Sequence, residues 1–262
     1  MAGARGEGSL EAACPLGVCD GSGWILGPED IARPCECREK RLKRGRVRGV
    51  ASAIPPRYRG VSFERPPVSN LPSGEVRQVR EFVDNLEQNL ASGKGIWFLG
   101  DVGTGKTTLA MLISKTALEQ GHSVAIYSMP KLLARIRRTF EGEPGTDTYS
   151  QFFDRLTSVD LLHIDDLGAE RQTEWVIEQL YSIVNERYEA KKSIMFTTNA
   201  EQLMPEGEER GKKTDGEPEL EVEKQIGKRT FSRLVEMCGD PISLFGPDNR
   251  THTPAAEHPM AV

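Results

Sequence analysis

From residue 95 onward, short apolar runs alternate with longer stretches in which apolar residues return every three or four positions. Gly95–Gly100 (GIWFLG), Ser123–Ser128 (SVAIYS), Val159–Asp165 (VDLLHID), Ser193–Thr198 (SIMFTT) and Pro241–Phe245 have the length and density of buried strands. Between them, Lys106–Glu119 carries Leu109, Leu112, Ile113 and Thr116 at helical spacing, and Pro130–Phe140, Thr148–Leu156, Thr173–Ala190 and Glu223–Cys238 also read as helices. Pro130 sits in the first turn of its helix, where a missing N–H costs little. Near-continuous apolar strands alternating with helices predict an α/β fold, a parallel sheet covered by helices on both faces.

The rest of the chain is less apolar. Glu201–Glu223 holds nine acidic and three basic residues, together with two prolines and three glycines, and reads as a solvated, disordered insertion. Thr251–Val262 has no periodicity and reads as a disordered tail. Arg33–Arg59 has the opposite bias, ten Lys/Arg against two Glu. The net charge of −5 therefore excludes a uniformly basic protein that coats nucleic acid, but not a local basic patch. No apolar run reaches the ~20 residues of a membrane helix. Residues Met1–Leu10 lack the apolar core of a secretory signal, so the five cysteines are expected in a reducing cytoplasm, as metal ligands or free thiols.

The chemistry is concentrated at strand ends. Gly100-Asp101-Val102-Gly103-Thr104-Gly105-Lys106-Thr107, followed by Thr108, fits G-x-x-x-x-G-K-[ST] between a strand and a helix. Glycines let backbone N–H groups curl around a β-phosphate, and the helix N-terminus adds a positive dipole end. Lys106 is placed to reach the β- and γ-phosphates of ATP, and the Thr107 hydroxyl to complete a Mg²⁺ shell. Leu161-Leu162-His163-Ile164-Asp165-Asp166 is the matching apolar strand ending in acids. Asp165 is expected to hold Mg²⁺ and Asp166 to orient or deprotonate the attacking water, while His163 reads as a packing residue. Asn199, closing Thr197-Thr198-Asn199, is expected beside Thr107 and Asp166, holding the lytic water or the γ-phosphate. Arg229, Arg233 and Arg250 follow the acidic stretch, and a solvated helix face or loop would explain any one of them.

With these motifs in place the chain resembles the AAA+ ATPases of the DnaC/DnaI and IstB type, replicative helicase loaders and transposase-helper ATPases. The resemblance covers about Ile54 to Arg250 and rests on GDVGTGKTTLA, LLHIDDLG, TTN, IGKRTFSRLVEMC (Ile226–Cys238) and the lead-in IPPRYRGVSFE (Ile54–Glu64). It implies an ATPase that self-associates with ATP. Arg233 would be a finger on the neighbouring subunit's ATP, Arg250 a sensor of the γ-phosphate within the same subunit, and the lead-in a wall on the adenine side. Asp165-Asp166 in place of the frequent Asp-Glu suggests slow, switch-like hydrolysis, and the acidic stretch looks like an insertion relative to the family.

Cys14, Cys19, Cys35 and Cys37 form C-x4-C-x15-C-x-C in a segment too rich in Gly, Pro and polar residues to bury four unrelated thiols. Two short-spaced pairs suit a tetrahedral Zn²⁺, with a redox pair as the other reading; Cys238 reads as packed. Loaders of the DnaI type resemble this arrangement, with an N-terminal zinc module that contacts the helicase, whereas IstB-like proteins typically lack it. The basic run Arg38–Arg48 reads as a linker, a screen for an acidic partner or a track for a nucleic-acid backbone. Lys131, Arg135, Arg137 and Arg138 form a second basic stripe, and the resemblance implies single-stranded DNA there. The expected division is a zinc module at 1–45, a basic linker and lead-in at 46–72 and the ATPase domain at 73–250, with the insertion at 201–223 and the tail at 251–262. The leading expectation is a loader binding ATP-Mg, Zn²⁺, the replicative helicase and single-stranded DNA. A transposition helper and a nucleotide-gated DNA-binding adaptor with little turnover are the alternatives. A kinase lacks an evident acceptor site.

Overall fold

In the computed structural model the described residues are 14, 18–19, 22, 24–26, 31–37, 53–141, 147–168, 173–199 and 221–249. The basic run Arg38–Arg48, most of the acidic stretch, Arg250 and the tail lie outside them. The chain forms two compact units, Met1–Ser52 and Ala53–Val262.

In the first unit a hairpin sets the geometry. Strand β1 (Trp24–Leu26) pairs antiparallel with β2 (Ala32–Pro34), Trp24 opposite Pro34. The Ser22 hydroxyl accepts from the Trp24 N–H at 3.2 Å and shapes the chain just before β1. Cys35 follows β2 directly.

In the second unit, helices α1 (Ser73–Asp84) and α2 (Leu86–Ser92) precede β3 (Ile96–Gly100). The chain continues through α3 (Lys106–Gln120), β4 (Val124–Ser128), α4 (Met129–Glu141), α5 (Tyr149–Ser158), β5 (Leu161–Asp165), α6 (Glu174–Glu189), β6 (Ser193–Asn199), α7 (Glu221–Ile226), α8 (Lys228–Cys238) and β7 (Ile242–Leu244). The five strands are all parallel in the order β4-β5-β6-β3-β7. This is the α/β, doubly covered parallel sheet that the apolar runs predict. The strand period of two divides the core. Phe98 and Met195 pack with Val79, Phe82, Leu109 and Ile113 on the α1–α3 face. Trp97, Leu162, Ile164 and Phe196 pack with Leu132, Phe152, Leu180 and Leu234 on the α4–α6 and α8 face.

Three departures from the sequence reading have local causes. Helices α1 and α2 are not anticipated, although Val79, Phe82, Val83, Leu86 and Leu90 are buried at helical spacing. The expected single helix Glu223–Cys238 begins two residues earlier, at Glu221, and breaks at Gly227. That residue has φ 86°, a left-handed conformation that glycine adopts without strain, and a Cβ there would stand 3.1 Å from Ile177 Cγ2. The last strand is trimmed to three residues. Among the described residues no helix is long and apolar enough to cross a membrane.

Arg187 of α6 is wholly buried. Its guanidinium donates to the carbonyls of Leu156 (2.7 Å), Thr157 (3.3 Å), Val159 (3.0 Å), Asp160 (3.4 Å) and Ser193. These include carbonyls at the end of α5, which have no partner within their own helix. One side chain thereby joins the end of α5, the entry to β5 and the start of β6. Burial lowers the guanidinium pKa to about 9 and Asp160 opposes the shift, so Arg187 stays charged at neutral pH. Arg187→Ala is expected to cost at least about 3 kcal/mol in urea unfolding, because it leaves buried carbonyls without donors. Arg187→Lys, with fewer donors in a different geometry, is expected to restore only part of that loss.

Candidate functional site

The carboxyl ends of β3, β5 and β6 converge, and the phosphate-type loop sits above them. Gly103 and Gly105 both have positive φ, 80° and 105°, and α3 starts at Lys106. The loop is held by its own side chains. The Thr104 hydroxyl donates to Asp101 O at 2.8 Å, and Lys106 Nζ donates to Gly100 O (3.0 Å) and Asp101 O (2.7 Å). Lys106 is thus folded against the loop with its ammonium aimed at loop carbonyls.

Asp165 ends β5, and its Oδ1 accepts from Thr107 Oγ1 at 2.9 Å and from Thr197 Oγ1 at 2.8 Å. Thr197 is wholly buried in β6 and also accepts from the Asp166 N–H at 2.9 Å, while its carbonyl accepts from the Leu167 N–H at 2.8 Å. Asp166 has φ 58°, a left-handed conformation that Asp tolerates better than most residues. Thr197 secures that turn from the neighbouring strand.

These groups face a cavity of about 560 Å³. It is lined by Val102, Gly103, Gly105, Lys106, Thr107 and Thr108 of the loop and α3, by Asp165, Asp166 and Asn199 at the strand ends, and by Arg57, Tyr58, Pro67 and Leu71 of the preceding segment. The Arg57 guanidinium lies 4.8 Å from the Tyr58 ring centre, so the lead-in contributes flat surfaces. Gly100, Asp101 and Thr104 do not line the cavity; they hold its rim. Asn249 lines it as well, a residue the sequence reading passes over.

Arg233 is elsewhere. It lies on α8 with its guanidinium 5.0 Å from the Tyr181 ring centre and 5.7 Å from that of Tyr188, and it does not line this cavity. Arg250 falls outside the described residues. His163 is fully buried, its Nδ1 3.0 Å from Ser114 Oγ, and burial lowers its pKa to about 3. It is a neutral packing residue between β5 and α3. Cys238 is buried, with its thiol 3.6 Å from Ile194 O.

In the first unit the sulfurs of Cys14, Cys19, Cys35 and Cys37 all lie within 4.8 Å of one another. Cys14 and Cys35 stand 3.8 Å apart, Cys19 and Cys37 3.5 Å. Four thiolates at the usual Zn–S distance of about 2.3 Å form a tetrahedron with edges of about 3.8 Å. Spacing and donor chemistry therefore fit zinc. Burial, then hydrogen bonding with the neighbouring thiols, pushes the Cys37 thiol up, so four thiolates need a cation among them.

With this geometry in view, the description "IstB-like ATP binding protein" matches residues 62–203, more than half of the chain. The chain belongs to the IstB-like ATP-binding family. A relative within reach of this IstB-like chain is the replicative helicase loader DnaC of Buchnera aphidicola subsp. Baizongia pistaciae, 30% identical over 177 residues, 66% of this chain and 68% of that one. The protein of the same name from Escherichia coli K12 is 29% identical over 164 residues, 62% and 65% of the two chains. Among solved structures, a DnaC helicase loader matches with a TM-score of 0.50 at 24% identity, covering 66% of this chain and 88% of that one. The replication initiator DnaA bound to AMPPCP and single-stranded DNA matches with a TM-score of 0.53 at 20% identity, covering 73% and 50%. Both structural likenesses are of fold, the P-loop AAA+ arrangement of sheet and helices.

Thr197 ties Asp165 and Asp166 to β6 through a single hydroxyl. Thr197→Val keeps the shape and removes both hydrogen bonds, so a loss of about 1–3 kcal/mol is expected in urea unfolding, with an unchanged m-value.

Proposed function

We propose that this chain is an ATP-dependent loader of the replicative helicase, acting in the cytoplasm. The observation that carries the reading is the pairing of Thr107 with Asp165 in the phosphate cavity of a chain that also gathers four thiols in a separate unit. Relatives named as helicase loaders support it.

In this reading ATP and Mg²⁺ would supply the β–γ phosphate bond to be cleaved and the cation that spreads its charge. The backbone N–H groups of Val102–Lys106 bind the phosphates, and Lys106 turns from the Gly100 and Asp101 carbonyls toward them. Thr107 and Asp165 hold Mg²⁺, directly or through water. Asp166 orients the attacking water, and Asn199, which lines the same cavity, holds that water or the γ-phosphate. An Asp in place of a Glu reaches less far, which fits slow turnover. Arg57 and Tyr58 offer faces to the base. Arg233, absent from its own cavity, serves a neighbouring subunit, and Arg250 reports the γ-phosphate in its own.

Residues 1–45 form the zinc module, with Cys14, Cys19, Cys35 and Cys37 as ligands, and dock the helicase. The basic face of α4 carries the single-stranded DNA contact, 46–72 links the parts and 73–250 is the ATPase domain. The family description favours a second reading, a helper ATPase that directs a transposase to duplex DNA.

Co-purification with the cognate replicative helicase decides between them. Retention that depends on Cys35 supports the loader; absence of binding by a protein that does bind ATP refutes it. Lys106→Ala is expected to abolish turnover and most ATP binding in a titration with a fluorescent nucleotide. Arg233→Ala is expected to bind ATP normally and lose DNA-stimulated hydrolysis, and an equal mixture with Lys106→Ala protein should regain part of it. Elemental analysis should find about one zinc per chain, lost in Cys35→Ser together with helicase binding but not ATP binding.

A further inference from the structure

The phosphate loop is gripped by the chain segment that follows the last strand. β7 is three residues long and among the described residues pairs only with β3, where Leu244 stands opposite Gly100. The Asp101 N–H donates to Leu244 O at 3.1 Å. The Gly246 N–H donates to the Asp101 side chain, at 3.1 Å from Oδ2. Three residues further, the Asn249 N–H donates to Gly103 O, also at 3.1 Å. Segment 244–249 is therefore laced to loop residues 101–103 at successive points.

The loop's glycines record the same contact. A Cβ on Gly100 would stand 1.8 Å from Leu244 O, and one on Gly103 would stand 1.9 Å from Asp248 Oδ1. At Gly100 the obstruction is backbone, so no side chain fits there while the segment lies where it does. At Gly103 it is the end of the Asp248 side chain, which a rotamer change moves aside, and the positive φ of 80° is what favours glycine. Gly100 of the motif is thus demanded by this segment as well as by a phosphate. The lacing also delivers Asn249 to the cavity wall.

We propose that residues Leu244–Asn249 act as a clasp that holds the phosphate loop in its binding shape, with Asp101 as the positioning residue that fastens it. Asp101 acts through Gly246 and does not itself line the cavity. The inference deepens the proposed function and rests on the cavity's taking a nucleotide. Because the clasp's grip on the loop and a nucleotide's grip favour the same loop conformation, each strengthens the other. Nucleotide occupancy is thereby felt at the start of the C-terminal segment.

The test uses the full chain with Asp101→Ala, which removes the acceptor for Gly246, and Asp101→Asn, which keeps an acceptor oxygen and removes the charge. A fluorescent ATP analogue reads affinity, and hydrogen exchange of peptides spanning 245–249 reads the clasp. Asp101→Ala is expected to bind the analogue about tenfold more weakly and to exchange faster at 245–249 with no nucleotide present. Asp101→Asn should return both close to wild type. Wild-type exchange at 245–249 should slow on adding the analogue, a measurement that stands even if Asp101→Ala does not fold. Wild-type exchange and affinity in Asp101→Ala, no rescue by Asn, or no slowing by a nucleotide that demonstrably binds would each overturn the clasp. A wild type that binds no nucleotide overturns the nucleotide reading of the cavity instead, and the clasp is then judged by the exchange of Asp101→Ala alone.

Discussion

One carboxylate organises the second unit. Asp165 ends β5 and receives hydroxyls from α3 and from β6, so three separately formed elements meet at a single oxygen. Each partner depends on something further away. Thr107 is in place because α3 starts at Lys106, directly after the loop; Thr197 is in place because Phe196 is in register with Ile164. A carboxylate that accepts two hydroxyls is held in a defined orientation, which a magnesium site needs and a solvated aspartate lacks. The same Thr197 oxygen receives the Asp166 N–H, so Asp166 is indexed to Asp165 through one hydroxyl.

The parallel sheet explains why such remote segments meet. In the order β4-β5-β6-β3-β7, β3 lies between β6 and β7, although α3, β4, α4, α5, β5 and α6 intervene in sequence before β6. Parallel strands put all their carboxyl ends on one edge, where ligands gather in open α/β folds. The opposite corner needs its own fastening. Arg187 supplies it by occupying carbonyls at the end of α5 and the entry to β6, and Asp160 closes the neighbouring corner. Burial alone would raise the Asp160 pKa, but the Ser123 amide and hydroxyl and the Lys192 ammonium outweigh it and bring the carboxyl to about 2.

Legibility in the sequence followed locality. The strand runs, the loop motif, the acids at the end of β5 and the cysteine quartet each lie within a few residues or have a strict spacing, and all could be read directly. The Thr197 role was hidden, although Thr197 and Asn199 are two apart and hence on one face of a strand. Asn199 carries the amide whose chemistry a sequence motif makes legible, whereas the Thr197 hydroxyl has no such mark. Arg187 was illegible for a different reason: an arginine in an exposed-looking helical pattern gives no sign that five carbonyls await it. The break at Gly227 is not legible because a glycine within a helical pattern is often tolerated, and its left-handed φ of 86° belongs to the folded chain.

In the proposed assembly, the placement of Arg233 fits its role as a finger on the neighbouring subunit. A finger for a neighbour's γ-phosphate has to arrive with its positive charge intact, and a carboxylate partner at home would compete for it. Here the guanidinium rests instead on the faces of Tyr181 and Tyr188, while the Tyr188 hydroxyl engages Glu236. Ring faces restrain an arginine without cancelling its charge and give up little energy when it leaves, on the order of 1 kcal/mol at an exposed site. A phosphate offers a bidentate, charge-assisted contact that exceeds this. In the proposed assembly the arginine is therefore held on a surface it can leave, and the difference between the two contacts favours joining subunits only where a nucleotide is present in the partner cavity.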